Sequence, residues 1–173
     1  RVKAWQPRLE GSGLRLAVEN KAIRSAADRG YILTPLDSLR AFADRYDLGL
    51  VLDTTHAATA GIDLVQASQT FDGRLVDLHF SDLGGWVPLG GLRTVQKVLG
   101  QHRFPGAGHL LLKSLLAALA RNGYEGPVTL EVNPFDVKAW WPPTMRRHLA
   151  RAIVSMRRAS GLHAGAAESA PSR

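Results

Sequence analysis

Four side chains that commonly bind metal ions lie at or near the carboxyl ends of four short apolar runs. They are Glu19 in LRLAVEN (14–20), Asp53 in LGLVLDTTH (48–56), His79 in LVDLHFSD (75–82) and Glu131 in GPVTLEVNP (126–134). Three carboxylates and one imidazole form a ligand set that suits a divalent cation such as Mn²⁺, Mg²⁺, Co²⁺ or Zn²⁺. One such residue at a strand end is more often a structural hydrogen-bonding group. Four at equivalent positions predict a shared metal site.

The elements that must position these residues alternate along the chain. Helical patterns accompany the apolar runs, at 34–47, 62–71, 110–124 and 143–159. Strands alternating with helices indicate an α/β protein with a parallel sheet. The carboxyl ends of parallel strands lie at one edge of a sheet, and in a (β/α)8 barrel of the TIM type they form the mouth where catalytic groups collect. The four residues are therefore expected to converge on one pocket.

Five segments, taken in order, resemble the xylose-isomerase-like TIM-barrel superfamily, and more narrowly its sugar phosphate isomerase/epimerase branch. The segments are LAVEN, LVLDTTHA, DLHFSD, HRFPGAGH (102–109) and VTLEVNP. The resemblance covers about residues 10–140 and matches only strands 5–8 of the barrel. It implies that residues 1–159 form a partial barrel domain. The small, polar segment 160–173 is expected to be a disordered tail.

The resemblance also implies residue roles. Glu19, Asp53, His79 and Glu131 would bind one divalent metal ion. Glu19 and Glu131 would in addition be the catalytic pair, which moves a proton to and from a substrate carbon through a metal-stabilised enediolate. The implied activity is that of a sugar, sugar phosphate or keto-polyol isomerase or epimerase.

Further residues near these motifs receive roles in substrate binding or support. His56 matches a histidine that contacts a substrate oxygen, and His102 or Arg103, just before the PGAG turn, would reach the substrate. Asp82 is expected either to orient the histidine ligand or to cap the segment that follows it. Asn20 and Asn133 flank the two glutamates and are expected to hydrogen-bond them.

Three other interpretations stay open. An inosose-type dehydratase shares nearly the same metal ligands. An abasic-site endonuclease of the endonuclease-four type would need an Asp-x-His pair before the glycine-rich loop, where His102 fits but Gly100 replaces the Asp. The chain also opens at Arg1 and shows about four strands, whereas a barrel has eight. We therefore expect a fragment that is inactive alone, or a homo-oligomer whose copies complete each other.

Composition narrows the class of protein. The 173 residues contain no cysteine, which excludes disulfides and thiolate chemistry. The net charge of +7 is concentrated in MRRHLARAIVSMRR (145–158), which reads as a helix with its arginines on a solvated face, so nucleic acid is an unlikely partner. No apolar run approaches the length that spans a bilayer. A cytoplasmic enzyme acting on a small sugar or polyol is expected.

Overall fold

Four short strands form a parallel sheet in which the spatial order follows the chain order. The computed structural model describes residues 2–23, 25–31, 33–84 and 100–159. The strands are β1 (Ala17–Glu19), β2 (Gly49–Asp53), β3 (Leu75–Phe80) and β4 (Val128–Leu130). The helices are α1 (Val2–Leu9), α2 (Leu36–Tyr46), α3 (Thr54–Thr59), α4 (Leu64–Thr70), α5 (Leu112–Arg121) and α6 (Pro142–Ala159), with a 3₁₀ turn at Ala26–Gly30.

Helices connect successive strands, as parallel pairing requires. Helix α2 lies between β1 and β2, α3 and α4 lie between β2 and β3, and α5 precedes β4. The register places Asp53 opposite His79, and His79 opposite Thr129. The α/β class and the parallel sheet predicted from the sequence are therefore confirmed.

The two faces of the sheet differ because side chains alternate along each strand. One face is apolar and packs against the helices, with Leu50, Leu52, Leu78 and Phe80 buried in the core. Burying each of these side chains stabilises the fold by about 1.5–3 kcal/mol. The opposite face carries the odd-numbered polar residues of the strands. The core thus fixes which face the candidate site occupies.

The strand in the run 48–56 ends at Asp53, as expected, and α3 begins at Thr54. Asp53 forms this boundary, because its side chain is the N-cap of α3 and accepts a hydrogen bond from the His56 backbone N–H at 2.7 Å. His56 therefore lies in the first turn of a helix and not in a strand.

The last helix has the basic surface that the sequence predicts. All five of its arginines are exposed, Ala152 is buried, and Met156 packs against the core. Ile153 of the same helix is exposed. Within the described residues, no helix has the length and apolar character needed to cross a membrane. The predicted tail, 160–173, lies outside the described residues.

Candidate metal centre and active site

The four predicted ligands lie together at the carboxyl edge of the sheet. Each of Glu19, Asp53, His79 and Glu131 offers one ligand atom, and these four atoms all lie within 4.8 Å of one another. His79 lies between the glutamates, with Nδ1 3.0 Å from Glu131 Oε2 and 3.3 Å from Glu19 Oε1. Glu19 ends β1, Asp53 ends β2, and Glu131 directly follows β4. Neighbouring strands in register account for the convergence.

Two buried polar atoms of this cluster lack a hydrogen-bond partner in the described structure, Asp53 Oδ2 and His79 Nδ1. Asp53 is fully buried, and burial raises the pKa of its carboxyl group while neighbouring His56 opposes the rise. An unpaired buried carboxylate oxygen is costly unless a cation or a donor approaches it. The donor set, with three carboxylates and a nitrogen lone pair, therefore fits a divalent cation.

Asn20 holds the backbone of Asp53 in place. Its side-chain amide donates to the Asp53 carbonyl oxygen at 3.1 Å, and its Oδ1 accepts from the Asp53 N–H at 2.7 Å. The prediction that Asn20 hydrogen-bonds the neighbouring glutamate is wrong, as is the same prediction for Asn133. The Asn133 side chain accepts from the Phe135 N–H at 3.0 Å.

His56 links the first two strand ends. Its Nδ1 lies 2.9 Å from the Asn20 carbonyl oxygen and 3.2 Å from Glu19 Oε1. Because a carbonyl can only accept, Nδ1 must carry the proton. His56 lowers the pKa of Glu19 despite partial burial of that carboxyl. Burial disfavours the imidazolium, but Glu19 and Asp53 outweigh it and raise the pKa of His56.

A second group of candidate ligands shares one member with the first. Asp53, His56 and His102 also offer ligand atoms within 4.8 Å of one another. His102 Nδ1 lies 3.8 Å from Asp53 Oδ2 and 3.3 Å from Ser81 Oγ. The His56 and His102 rings meet edge to face, with centroids 5.3 Å apart. The structure thus brings both predicted substrate-binding histidines beside the cluster.

A buried hydroxyl network beneath the site was not foreseen from the sequence. Thr54 Oγ1 donates to the Ser81 carbonyl at 2.7 Å and accepts from the Ser81 N–H at 3.0 Å. Thr55 Oγ1 lies 2.9 Å from Ser81 Oγ. These bonds join the start of α3 to the end of β3. The two threonines after Asp53 were the available signal, since paired small polar residues after a strand suit such contacts.

Asp82 organises the glycine-rich loop. Its Oδ2 accepts from the Gly106 and Gly108 N–H groups at 2.9 and 3.0 Å, and its Oδ1 accepts from Leu83 and Leu110 at 2.9 and 3.0 Å. The side chain is almost fully buried. Of the two predicted roles, shaping the following segment is the one these contacts serve.

Arg103 lies at the base of the same loop and is 8% exposed. Its Nε donates to Asp136 Oδ2 at 2.6 Å, and its Nη1 donates to the Gly84 carbonyl at 2.9 Å. The Asp136 carboxylate also accepts from the Phe104 N–H at 2.9 Å. These contacts tie the loop to the segment after β4. The substrate-binding role of Arg103 stays a prediction.

Residues 2–154 match the profile of a protein family described as xylose isomerase-like TIM barrel. An uncharacterized protein of Mycobacterium tuberculosis (strain ATCC 25618 / H37Rv) is 30% identical over 111 residues, which cover 61% of this chain and 36% of that protein. The chain therefore spans about a third of this relative.

Solved structures of sugar epimerases share the fold. D-psicose 3-epimerase from Clostridium cellulolyticum H10 with D-tagatose matches with a TM-score of 0.68 and 18% identity, over 92% of this chain and 54% of that one. A 3-keto-D-glucoside 4-epimerase from E. coli gives a TM-score of 0.61 at 16% identity, over 88% and 51%. L-ribulose 3-epimerase matches with a TM-score of 0.58 and 18% identity, over 98% of this chain and 56% of that one. At these identities the likeness shows the fold, and the chain spans about half of each structure.

Proposed function

The chain belongs to the xylose isomerase-like TIM-barrel family, and on this premise we propose that it carries the active site of a divalent-metal-dependent sugar isomerase or epimerase. The observation that carries the proposal is the pair of carboxylates, Glu19 and Glu131, gathered with Asp53 and His79 within 4.8 Å. The structural neighbours are epimerases of D-psicose, of a 3-keto-D-glucoside and of L-ribulose. These activities support a sugar as the substrate class.

Two carboxylates at one centre suit proton transfer at a carbon next to a carbonyl. One takes the proton as a base and the other returns a proton as an acid, which inverts the carbon or moves the carbonyl. Glu19 would be the base in its ionised form, which His56 favours by lowering the pKa of the carboxyl. Glu131, which follows β4 at the other end of the four-stranded sheet, would be its partner.

The remaining cluster residues would hold the cation. Asp53 Oδ2 and His79 Nδ1 have no hydrogen-bond partner in the described structure and would be ligands together with the two glutamates. When bound, a divalent cation stabilises the negative charge that develops on substrate oxygens as the proton leaves. Asp53 is positioned for this before any ligand binds, because Asn20 and the α3 N-cap fix its backbone and one of its oxygens.

The substrate would lie against the imidazoles beside the cluster. The bond from His56 Nδ1 to the Asn20 carbonyl leaves Nε2 to accept a hydrogen bond from a substrate hydroxyl. His102 would provide a second polar contact on the same side, and Arg103 would act at the loop. Within this proposal the described strands correspond to strands 5–8 of a barrel, and other strands complete the pocket.

Paired glutamine substitutions test the proton-transfer assignment. In the protein that carries the complete barrel, we expect Glu19→Gln and Glu131→Gln each to reduce turnover of a ketose substrate about 10²–10⁴-fold, the usual contribution of a general acid or base. Exchange of the substrate α-proton for deuterium from D₂O should fall in parallel, while circular dichroism stays unchanged. Glu125→Gln, on an exposed residue outside the cluster, is the matched control. Near wild-type exchange in both cluster variants would sink the assignment.

The second group of candidate ligands favours one alternative function, the abasic-site nuclease. Asp53, His56 and His102 could hold another cation, and multinuclear zinc chemistry would favour the abasic-site nuclease. Metal analysis after dialysis against Zn²⁺ or Mn²⁺ separates the two functions. One ion per chain supports the isomerase or epimerase, whereas about three zinc ions, with cleavage of an abasic duplex, support the nuclease. A dehydratase would be recognised by loss of water from the product.

A further inference from the structure

A third aspartate, Asp77, lies beside the cluster without belonging to it. It precedes His79 by two residues on β3, so both side chains lie on the polar face of the sheet. Asp77 Oδ2 is 3.7 Å from His79 Nε2. The Thr129 hydroxyl of β4 is 3.1 Å from both carboxylate oxygens of Asp77. The carboxylate is thus anchored from the next strand and faces the far side of the imidazole.

The two nitrogens of His79 have different surroundings. Nδ1 lies among the carboxylates of Glu19 and Glu131, and Nε2 lies toward Asp77. A neutral imidazole carries one proton, and only the nitrogen without it can bind a cation. The two glutamates alone would attract that proton to Nδ1, which would block the ligand atom. A carboxylate on the other side acts against this, because it attracts the proton to Nε2.

We propose that Asp77 is a positioning residue, which attracts the His79 proton toward Nε2 and so favours the form in which Nδ1 presents its lone pair to a cation at the cluster. A carboxylate behind a metal-binding histidine fixes the tautomer and the ring orientation, and its loss typically weakens metal binding 10–100-fold. The contact of 3.7 Å is longer than a hydrogen bond and acts electrostatically. This inference rests on the proposed function only in naming the metal.

The variants for the test are Asp77→Asn, Asp77→Glu and the control Asp72→Asn. The asparagine keeps the shape of the side chain and an acceptor for Thr129, but it removes the charge facing Nε2. The glutamate restores the charge. Asp72 is exposed in the turn after α4, so its substitution changes the net charge of the protein by the same amount away from the cluster.

The first readout is the tautomer of His79 in metal-free protein labelled with ¹⁵N-histidine. It is measured by long-range ¹H–¹⁵N correlation NMR at about pH 8.5, because imidazoles are ordinarily neutral at that pH. We expect a larger fraction of the Nε2–H form in the wild type and in Asp72→Asn than in Asp77→Asn, where only the two glutamates act on the proton. The second readout is the Kd for Mn²⁺ from calorimetric titration. We expect Asp77→Asn to raise it about 10–100-fold and Asp77→Glu to recover part of the loss.

An unchanged tautomer in Asp77→Asn would overturn the inference, as would a Kd for Mn²⁺ equal to that of Asp72→Asn. The two readouts also separate this inference from the proposed function. If the wild type bound no Mn²⁺, the metal-dependent function would fail, while the tautomer in the metal-free protein would still decide the role of Asp77.

Discussion

Replacing Asp82 by asparagine measures what the buried carboxylate contributes to the loop beside the site. In the wild type, two N–H groups donate to each carboxylate oxygen. Asparagine offers one oxygen and one NH₂ group, so two of the four hydrogen bonds are lost and two backbone N–H groups face another donor. Hydrogen bonds to a charged group contribute about 1.5–3 kcal/mol each. We therefore expect the free energy of unfolding to fall by about 3–6 kcal/mol.

Urea denaturation followed by circular dichroism is the assay. For an m-value of about 2 kcal/mol/M, this loss lowers the midpoint by about 1.5–3 M urea. Asp63→Asn is the matched control, because Asp63 caps α4 through one bond to the Gln66 N–H at 2.9 Å and is exposed. Asparagine caps helices about as well as aspartate, so this midpoint should barely move. Equal shifts for the two variants would refute the reasoning.

Three further predictions concern packing and ionisation. Gly108→Ala should lower the free energy of unfolding by about 1–3 kcal/mol, because its Cβ would press against the loop carboxylate and a backbone carbonyl; Gly30→Ala, in open space, should leave thermal stability unchanged. Leu52→Ala should cost about 2–5 kcal/mol in chemical denaturation, whereas Leu111→Ala, at a side chain 70% exposed, should change stability by less than about 0.5 kcal/mol. Burial raises the pKa of Tyr124 to about 12, so an ultraviolet titration should show a step there that Tyr124→Phe lacks. The folded state holds this proton more tightly, so its contribution to stability should disappear as the pH rises from about 10 toward 12.

The convergence of the four predicted ligands could be read from the sequence, because it follows from two short-range rules. Alternation places Glu19, Asp53 and His79 on the same face of their strands, and parallel strands bring their carboxyl ends to one edge. Neither rule needs knowledge of the side-chain contacts. The structure gathers the four residues within 4.8 Å, as those rules predict.

The supporting contacts could not be predicted in this way, because they join residues far apart in the chain. Asp82 accepts from N–H groups up to 28 residues away, and Arg103 pairs with an aspartate 33 residues away. Asn20 reaches 33 residues to the backbone of Asp53. The sequence around each of these polar residues is also compatible with a hydrogen bond to a residue nearby in the chain. Only Asp53 carried a local signal that went unused, since an aspartate before a run of small residues commonly begins a helix.

The alternation that builds the site also protects the pairing of the strands during folding. If a strand slipped by one residue against its neighbours, every side chain on it would exchange faces. Asp53 or His79 would then enter the layer beneath the helices without a partner, and Leu52 or Leu78 would face water. The misaligned sheet would lose apolar burial and would place polar side chains among the apolar residues of the core. The residues of the candidate site therefore also help to specify the strand register.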